Sequence, residues 1–129
     1  MPLACRLLEF AAIPAALAIQ EVPSSAPESG EVVLSMLAAS VNPADLNVIE
    51  GSYGELPPLP STIVNEGCGI ISQIGSSVEG FTIGTPAIVL RAGTWTTEMR
   101  VSADDVIPLP VGIDPWQAAM LTVNPATAW

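Results

Sequence analysis

Thirteen carboxylates, one tyrosine and no histidine set the limits of what this 129-residue chain can do chemically. Without histidine, the usual catalytic triads, imidazole metal ligation and imidazole proton transfer are excluded. What remains is Tyr53, the carboxylates, and amide and hydroxyl side chains in glycine-rich settings. A phenol keeps its proton at neutral pH, so Tyr53 has the chemistry of a general acid. The two cysteines, Cys5 and Cys68, lack metal-ligand spacing and are too few for a disulfide framework. They read as small buried residues of a protein from a reducing compartment.

Three clusters collect the polar groups. The first is Val41-Asn42-Pro43-Ala44-Asp45-Leu46-Asn47, followed by Gly51-Ser52-Tyr53-Gly54. The second is Asn65-Glu66-Gly67-Cys68-Gly69, continuing into Ile74-Gly75-Ser76-Ser77-Val78, and the third is Thr122 to Ala128. Each has a plain structural reading. Tyr53, after a helix-ending glycine, suits a half-buried packing residue with its hydroxyl in water. Asn42 and Asp45 suit the turn at a helix start, and Asn124 before Pro125 suits an N-cap. Trp95 fits a pocket wall or the core equally well. Asn65 and Glu66, at a glycine-flanked strand end, are open between a structural and a functional role. The glycines at 67–69 and 75–80 lack the lysine and strand-to-helix setting of phosphate loops, and read as barrel turns.

The elements that must position these groups are mostly short strands. Residues 3–10 and 16–22 read as strands broken by a turn at Pro14, and 23–30 as a loop. Residues 31–40 read as a largely buried strand. A short helix is expected over 43–49, with Pro43 in its first turn and Gly51 ending it. After a proline loop at 54–61, residues 62–74 read as one strand. Gly67 and Gly69 inside it signal a bulge or a close backbone approach. Strands follow at 87–91, 95–101 and 106–108. Asp114-Pro115 then signals a helix running to about Leu121, and Pro125 the start of another. Many short strands and almost no long helix predict a mainly β fold, a partly open antiparallel barrel.

Taken in order, the clusters resemble the N-terminal, GroES-like domain of the medium-chain dehydrogenase/reductase superfamily. Within it they are most similar to the mitochondrial trans-2-enoyl thioester (enoyl-CoA/ACP) reductases, which use NADPH. Six segments carry the resemblance: 41–54, 56–60, 65–67, 74–78, 93–98 and 123–128. The resemblance implies Tyr53 as proton donor, with hydride passing from NADPH to the β-carbon of a 2-enoyl thioester. It also implies cofactor contacts from Asn124 and Thr127. Asn42 and Trp95 stand as candidates for the substrate pocket beside their structural readings. Zinc-dependent relatives carry Gly-His-Glu where this chain has Asn65-Glu66, so no zinc is expected. Gly84-Thr85-Pro86-Ala87 departs from the family pattern, and an altered loop is expected near 84–92. A quinone oxidoreductase-like reductase and a non-catalytic binding module stand as alternatives.

The expected organisation is a catalytic domain over 1–114 and, over 115–129, the start of a helical connection to a Rossmann cofactor domain that follows. Alone, the 129 residues are expected to be inactive. Mitochondrial location and homodimers of the full-length protein are implied by resemblance only, and no targeting segment is visible. The formal charge is −10, with Arg6, Arg91 and Arg100 the only basic residues. Such a surface argues against nucleic acid and anionic membranes as partners. The longest apolar stretch, 10–19, is too short to span a bilayer. Acyl-CoA, acyl carrier protein and NADPH are anionic as well, so cations that hold them are expected outside this chain. Only 12% of residues are charged, which predicts apolar surface that something else covers.

Overall fold

The computed structural model describes residues 1–129. Eight strands form two antiparallel sheets: β1 (Leu3–Leu7), β2 (Leu17–Glu21), β3 (Glu31–Ala39), β4 (Ser61–Thr62), β5 (Gly67–Ile74), β6 (Pro86–Val89), β7 (Glu98–Ser102) and β8 (Val106–Pro108). The smaller sheet has the order β2-β1-β4 and the larger one β7-β3-β5-β6-β8. Three short helices accompany them: α1 (Pro43–Glu50), α2 (Pro115–Ala118) and α3 (Asn124–Ala128). No helix is long and apolar enough to cross a membrane.

The mainly β, partly open barrel expected from the sequence is what forms. The two sheets are joined by residues 95–97. On one side the Cys5 N–H donates to the Trp95 carbonyl at 2.8 Å, and the Thr97 N–H to the Leu3 carbonyl at 2.8 Å. On the other, the Met36 N–H donates to the Thr97 carbonyl at 3.0 Å. Those bonds make 95–97 a corner between sheets, which is why the strand expected from residue 95 begins only at Glu98.

A second corner divides the strand expected over 62–74. Ser61–Thr62 pairs with β1 in the small sheet, whereas Gly67–Ile74 lies between β3 and β6 in the large one. Between them Val64 takes φ 76°, a left-handed conformation that is a genuine outlier for a β-branched residue. Its carbonyl accepts from the Gly93 N–H at 2.8 Å and the Thr94 N–H at 3.2 Å. Two donors on one oxygen hold a conformation that by itself costs about 1–3 kcal/mol.

Gly67 and Gly69 signal a bulge or a close backbone approach, and the strand shows each. The β3–β5 register slips twice, between Val33 and Leu34 and between Met36 and Ala38. A Cβ on Gly69 would stand 2.8 Å from the Ser35 carbonyl oxygen, so the strands approach more closely than any side chain permits.

Burial follows the sheets. Val32, Leu34, Ile71, Ala87, Val89, Val101 and Val106 form the core of the larger sheet. Leu7, Ala16, Ile49, Ile63 and Val64 pack α1 against the smaller sheet. Ala118 and Ala119 close over Cys68 and Ile88, so the start of the 115–129 segment is packed into the domain. Each large aliphatic side chain fully buried this way contributes about 1.5–3 kcal/mol. α2 ends at Ala118 rather than Leu121, with its N-cap Asp114 accepting from the Trp116 N–H at 2.9 Å. Both cysteines are free, Cys68 buried and Cys5 half-buried, and burial pushes both thiols up.

Gly69→Ala is expected to lower stability by about 1–3 kcal/mol through overpacking of β3 against β5. Urea unfolding of the variant beside the wild type measures it, and an unchanged midpoint would show that the strands can part without loss.

Candidate functional site

Four polar or charged side chains are buried, namely Ser40, Asp45, Glu66 and Thr94. Ser40, Glu66 and Thr94 are linked by hydrogen bonds at the second corner, and Asp45 bonds to Asn42 beside them. Glu66 is at their centre, with no exposed surface. Its Oε2 accepts from the Asn42 side-chain amide at 2.9 Å, and the same amide donates to the Ser40 hydroxyl at 3.2 Å. Its Oε1 accepts from the backbone N–H groups of Val123 and, at 3.3 Å, Asn124. Thr94 donates to the Glu66 carbonyl at 2.8 Å, and Trp95 Nε1 donates to the Ser40 carbonyl at 3.3 Å. The three sequence clusters therefore converge on one carboxylate.

Asn42 also starts α1. Its backbone N–H donates to the Asp45 carboxylate at 2.7 Å, and the Asp45 N–H returns to the Asn42 carbonyl at 2.9 Å. Pro43 occupies the first turn, where a missing N–H leaves nothing unsatisfied. At the other end Gly51 takes φ 81°, and a Cβ there would meet Phe10 Cβ at 2.9 Å. The Ser52 and Tyr53 N–H groups then both fold back onto the Asn47 carbonyl, at 2.9 and 3.3 Å. Helix and turn together fix where Tyr53 leaves the backbone.

Tyr53 is 46% exposed and lines a cleft of about 430 Å³. Val48, Leu56, Pro57, Ile63, Val64 and Ala92 give the cleft its apolar wall, and Asp45, Glu55 and Asn65 its polar groups. A phenol hydroxyl beside a largely apolar slot can act as a hydrogen-bond partner or proton donor to a molecule held there.

The other sequence-derived candidates divide. Asn42 and Trp95 are absent from the cleft lining: Asn42 faces Glu66, and Trp95 packs against the α1 core. Asn124 and Thr127 are exposed on α3, where the Thr127 hydroxyl donates to the Val123 carbonyl at 3.0 Å. No group of three or more Cys, Asp or Glu side chains is gathered as a metal site would need. Sequence reasoning leaves Glu66 undecided, although a carboxylate between Ile63-Val64 and Gly67-Cys68-Gly69 is a signal. It also missed Ala92 and the Leu56-Pro57-Pro58 wall, because a proline loop carries no periodicity that marks a pocket.

Burial pushes the Glu66 carboxyl up, but the donors Asn42, Val123, Ser40 and Asn124 outweigh it and hold the group below its ordinary 4.5. Burial raises Asp45 above its ordinary 3.8; the Asn42 N–H opposes this and the negative Glu66 reinforces it.

Residues 28–111 match the family described as the alcohol dehydrogenase GroES-like domain. The mitochondrial enoyl-[acyl-carrier-protein] reductase of Rattus norvegicus is 42% identical over 113 residues, which cover 86% of this chain and 30% of that protein. Among solved structures, a putative NADPH:quinone reductase from Bacillus thuringiensis superposes with a TM-score of 0.90 at 34% identity, covering 99% of this chain and 39% of that one. A mutant form of the enoyl thioester reductase from Candida tropicalis gives 0.85 at 27% identity, covering 98% and 42%. The chain thus spans less than half the length of each of these relatives.

Glu66 contributes stability that is complete above 4.5 and is lost as pH falls through its lower folded-state value. Asp45 acts in the opposite sense: its contribution is complete below 3.8 and is lost as pH rises through its higher folded-state value. Urea unfolding from neutral pH downward is therefore expected to show a loss below 4.5 that is shallower in Glu66→Gln. Asp45→Asn, which keeps an acceptor for the Asn42 N–H, is expected to be more stable than wild type at neutral pH. Parallel pH curves for wild type and Glu66→Gln would contradict the assignment.

Proposed function

The chain belongs to the alcohol dehydrogenase GroES-like domain family, as an N-terminal domain of the medium-chain dehydrogenase/reductase superfamily, and on that premise we propose that it is the substrate-side domain of an NADPH-dependent 2-enoyl thioester reductase. Residues 1–114 would form the catalytic domain, and 115–129 would begin the connection to a cofactor-binding domain. The observation that carries this reading is Tyr53, an exposed phenol at an apolar cleft, held at the end of a capped helix. The 42% identity to a mitochondrial enoyl-[acyl-carrier-protein] reductase supports the thioester substrate class and a mitochondrial location.

Tyr53 holds a proton at its hydroxyl and delivers it to the α-carbon of the substrate, directly or through the enolate. The apolar wall from Val48 to Ala92 seats the acyl chain and keeps water from the reacting double bond. NADPH, when bound, supplies the hydride that the β-carbon receives. The residues present fit the uncharged end of that cofactor: Asn124 and Thr127 are exposed polar groups on a helix tied to the site through Glu66. They do not fit its phosphates. Arg6 donates to the Pro60 carbonyl, Arg91 pairs with Asp105, and Arg100 pairs with Glu28 and Glu31. None of the three lines the cleft. The cations for cofactor and thioester phosphates would come from the additional length that relatives possess, together with the homodimer contact. The reaction is proposed to run without zinc, with Asn65-Glu66 where zinc-dependent relatives carry a ligand.

A second reading, reduction of a quinone, draws on the 34% identity and TM-score of 0.90 to the bacterial NADPH:quinone reductase. The test is steady-state reduction of a short trans-2-enoyl-CoA and of a quinone by the full-length protein with NADPH. Tyr53→Phe is expected to lower enoyl-CoA turnover by about 10²-fold or more, and the 129-residue chain alone to give none. Quinone turnover alone would favour the second reading, and turnover of neither would leave a binding module.

A further inference from the structure

A carboxylate taken out of water carries a desolvation cost that its hydrogen bonds have to offset, and Glu66 meets it without a cation. None of the chain's ion pairs includes it. What it has is two oxygens facing two different elements. Oε2 holds Asn42, the first residue of the α1 turn, and Oε1 holds Val123 and Asn124, which start α3. A carboxylate accepts from both directions at once, whereas an amide there would present one acceptor and one donor.

Each element carries part of the reaction machinery. From Asn42, α1 runs eight residues to Gly51, and the Asn47 carbonyl then takes the Tyr53 N–H. From Val123, α3 carries Asn124 and Thr127. A shift at either end of the carboxylate is transmitted along a short, hydrogen-bonded path to the proton donor or to the cofactor contacts. Misplacement by about 1 Å can cost on the order of 10²-fold in rate.

We infer that Glu66 is a positioning residue that sets the placement of Tyr53 relative to Asn124 and Thr127, with Asn42 as its link to α1. The inference rests on the reductase reading for its effect on turnover, while the coupling itself can be observed without turnover.

The experiment uses the full-length protein and three variants: Asn42→Asp, Asn42→Asp with Glu66→Gln, and Asn42→Ser. Asn42→Asp turns a donor into a second carboxylate against Glu66. It is expected to lower kcat by about tenfold or more with the thioester KM within about twofold, and to speed backbone hydrogen exchange at 123–124 and at Tyr53. Adding Glu66→Gln restores a donor–acceptor pair with the roles reversed, and is expected to recover both readouts. A general loss of stability would lower the melting temperature and speed exchange throughout the domain, whereas the positioning role confines the faster exchange to 123–124 and Tyr53. Asn42→Ser keeps a good helix cap but shortens the side chain, and is expected to show a smaller loss in both readouts. Should Asn42→Asp fail to fold, Asn42→Ser decides: wild-type kcat and wild-type exchange at 123–124 would overturn the inference. If the wild type reduces no enoyl thioester, the reductase reading fails, and the exchange data still decide whether Glu66 couples the two elements.

Discussion

A carboxylate removed from water has to be surrounded by donors, and at Glu66 the chain meets that demand by drawing three distant segments together. The Asn42 amide, the backbone of Val123 and Asn124, and Ser40 surround one side chain. Thr94 and Trp95 fasten the surrounding carbonyls. The turn between the sheets, the start of α1 and the start of α3 are therefore one problem in hydrogen bonding with one solution. Hydrophobic burial builds each sheet, but it is non-directional and could not by itself choose this mutual placement.

The same corner explains the shape of the cleft. Because the backbone turns through Val64 in a left-handed conformation, Ile63, Val64 and Asn65 line the cleft while Glu66 turns into the interior. Successive residues thereby serve the slot and its support. Tyr53 reaches the same cleft from the turn after a helix whose two ends are each defined by a local bond pattern.

Much of this was legible before any coordinates, and for identifiable reasons. Pro43 and Gly51 are backbone signals whose meaning does not depend on tertiary context, and α1 formed between them. The buried run Val32-Val33-Leu34 announced β3 by composition alone. The strand from 62 to 74 was misread because apolar residues continue across Ile63 and Val64 while the chain changes sheets. Periodicity cannot register a change of partner. Trp95 is open between a pocket wall and the core, and Asn42 between a pocket and a helix start. Their contacts are with the α1 core and the Ser40 carbonyl, and with Glu66, which only distances reveal. Glu66 remained undecided since a single charged residue has no pattern, and its role lies in donors that are 24 to 58 positions away.

The seam at 95–97 carries a consequence for how the molecule is made. The backbone partners that Leu3 and Cys5 find there are some ninety residues further along the chain. During synthesis β4 covers the Arg6–Leu7 end of the β1 edge first, and the Leu3–Cys5 end must wait unpaired until the Thr94–Thr97 segment has emerged. Contacts of such long sequence separation form slowly, and an unpaired edge is a template for adventitious pairing. The brevity of β1 and β2, five residues each, keeps that edge short while it waits.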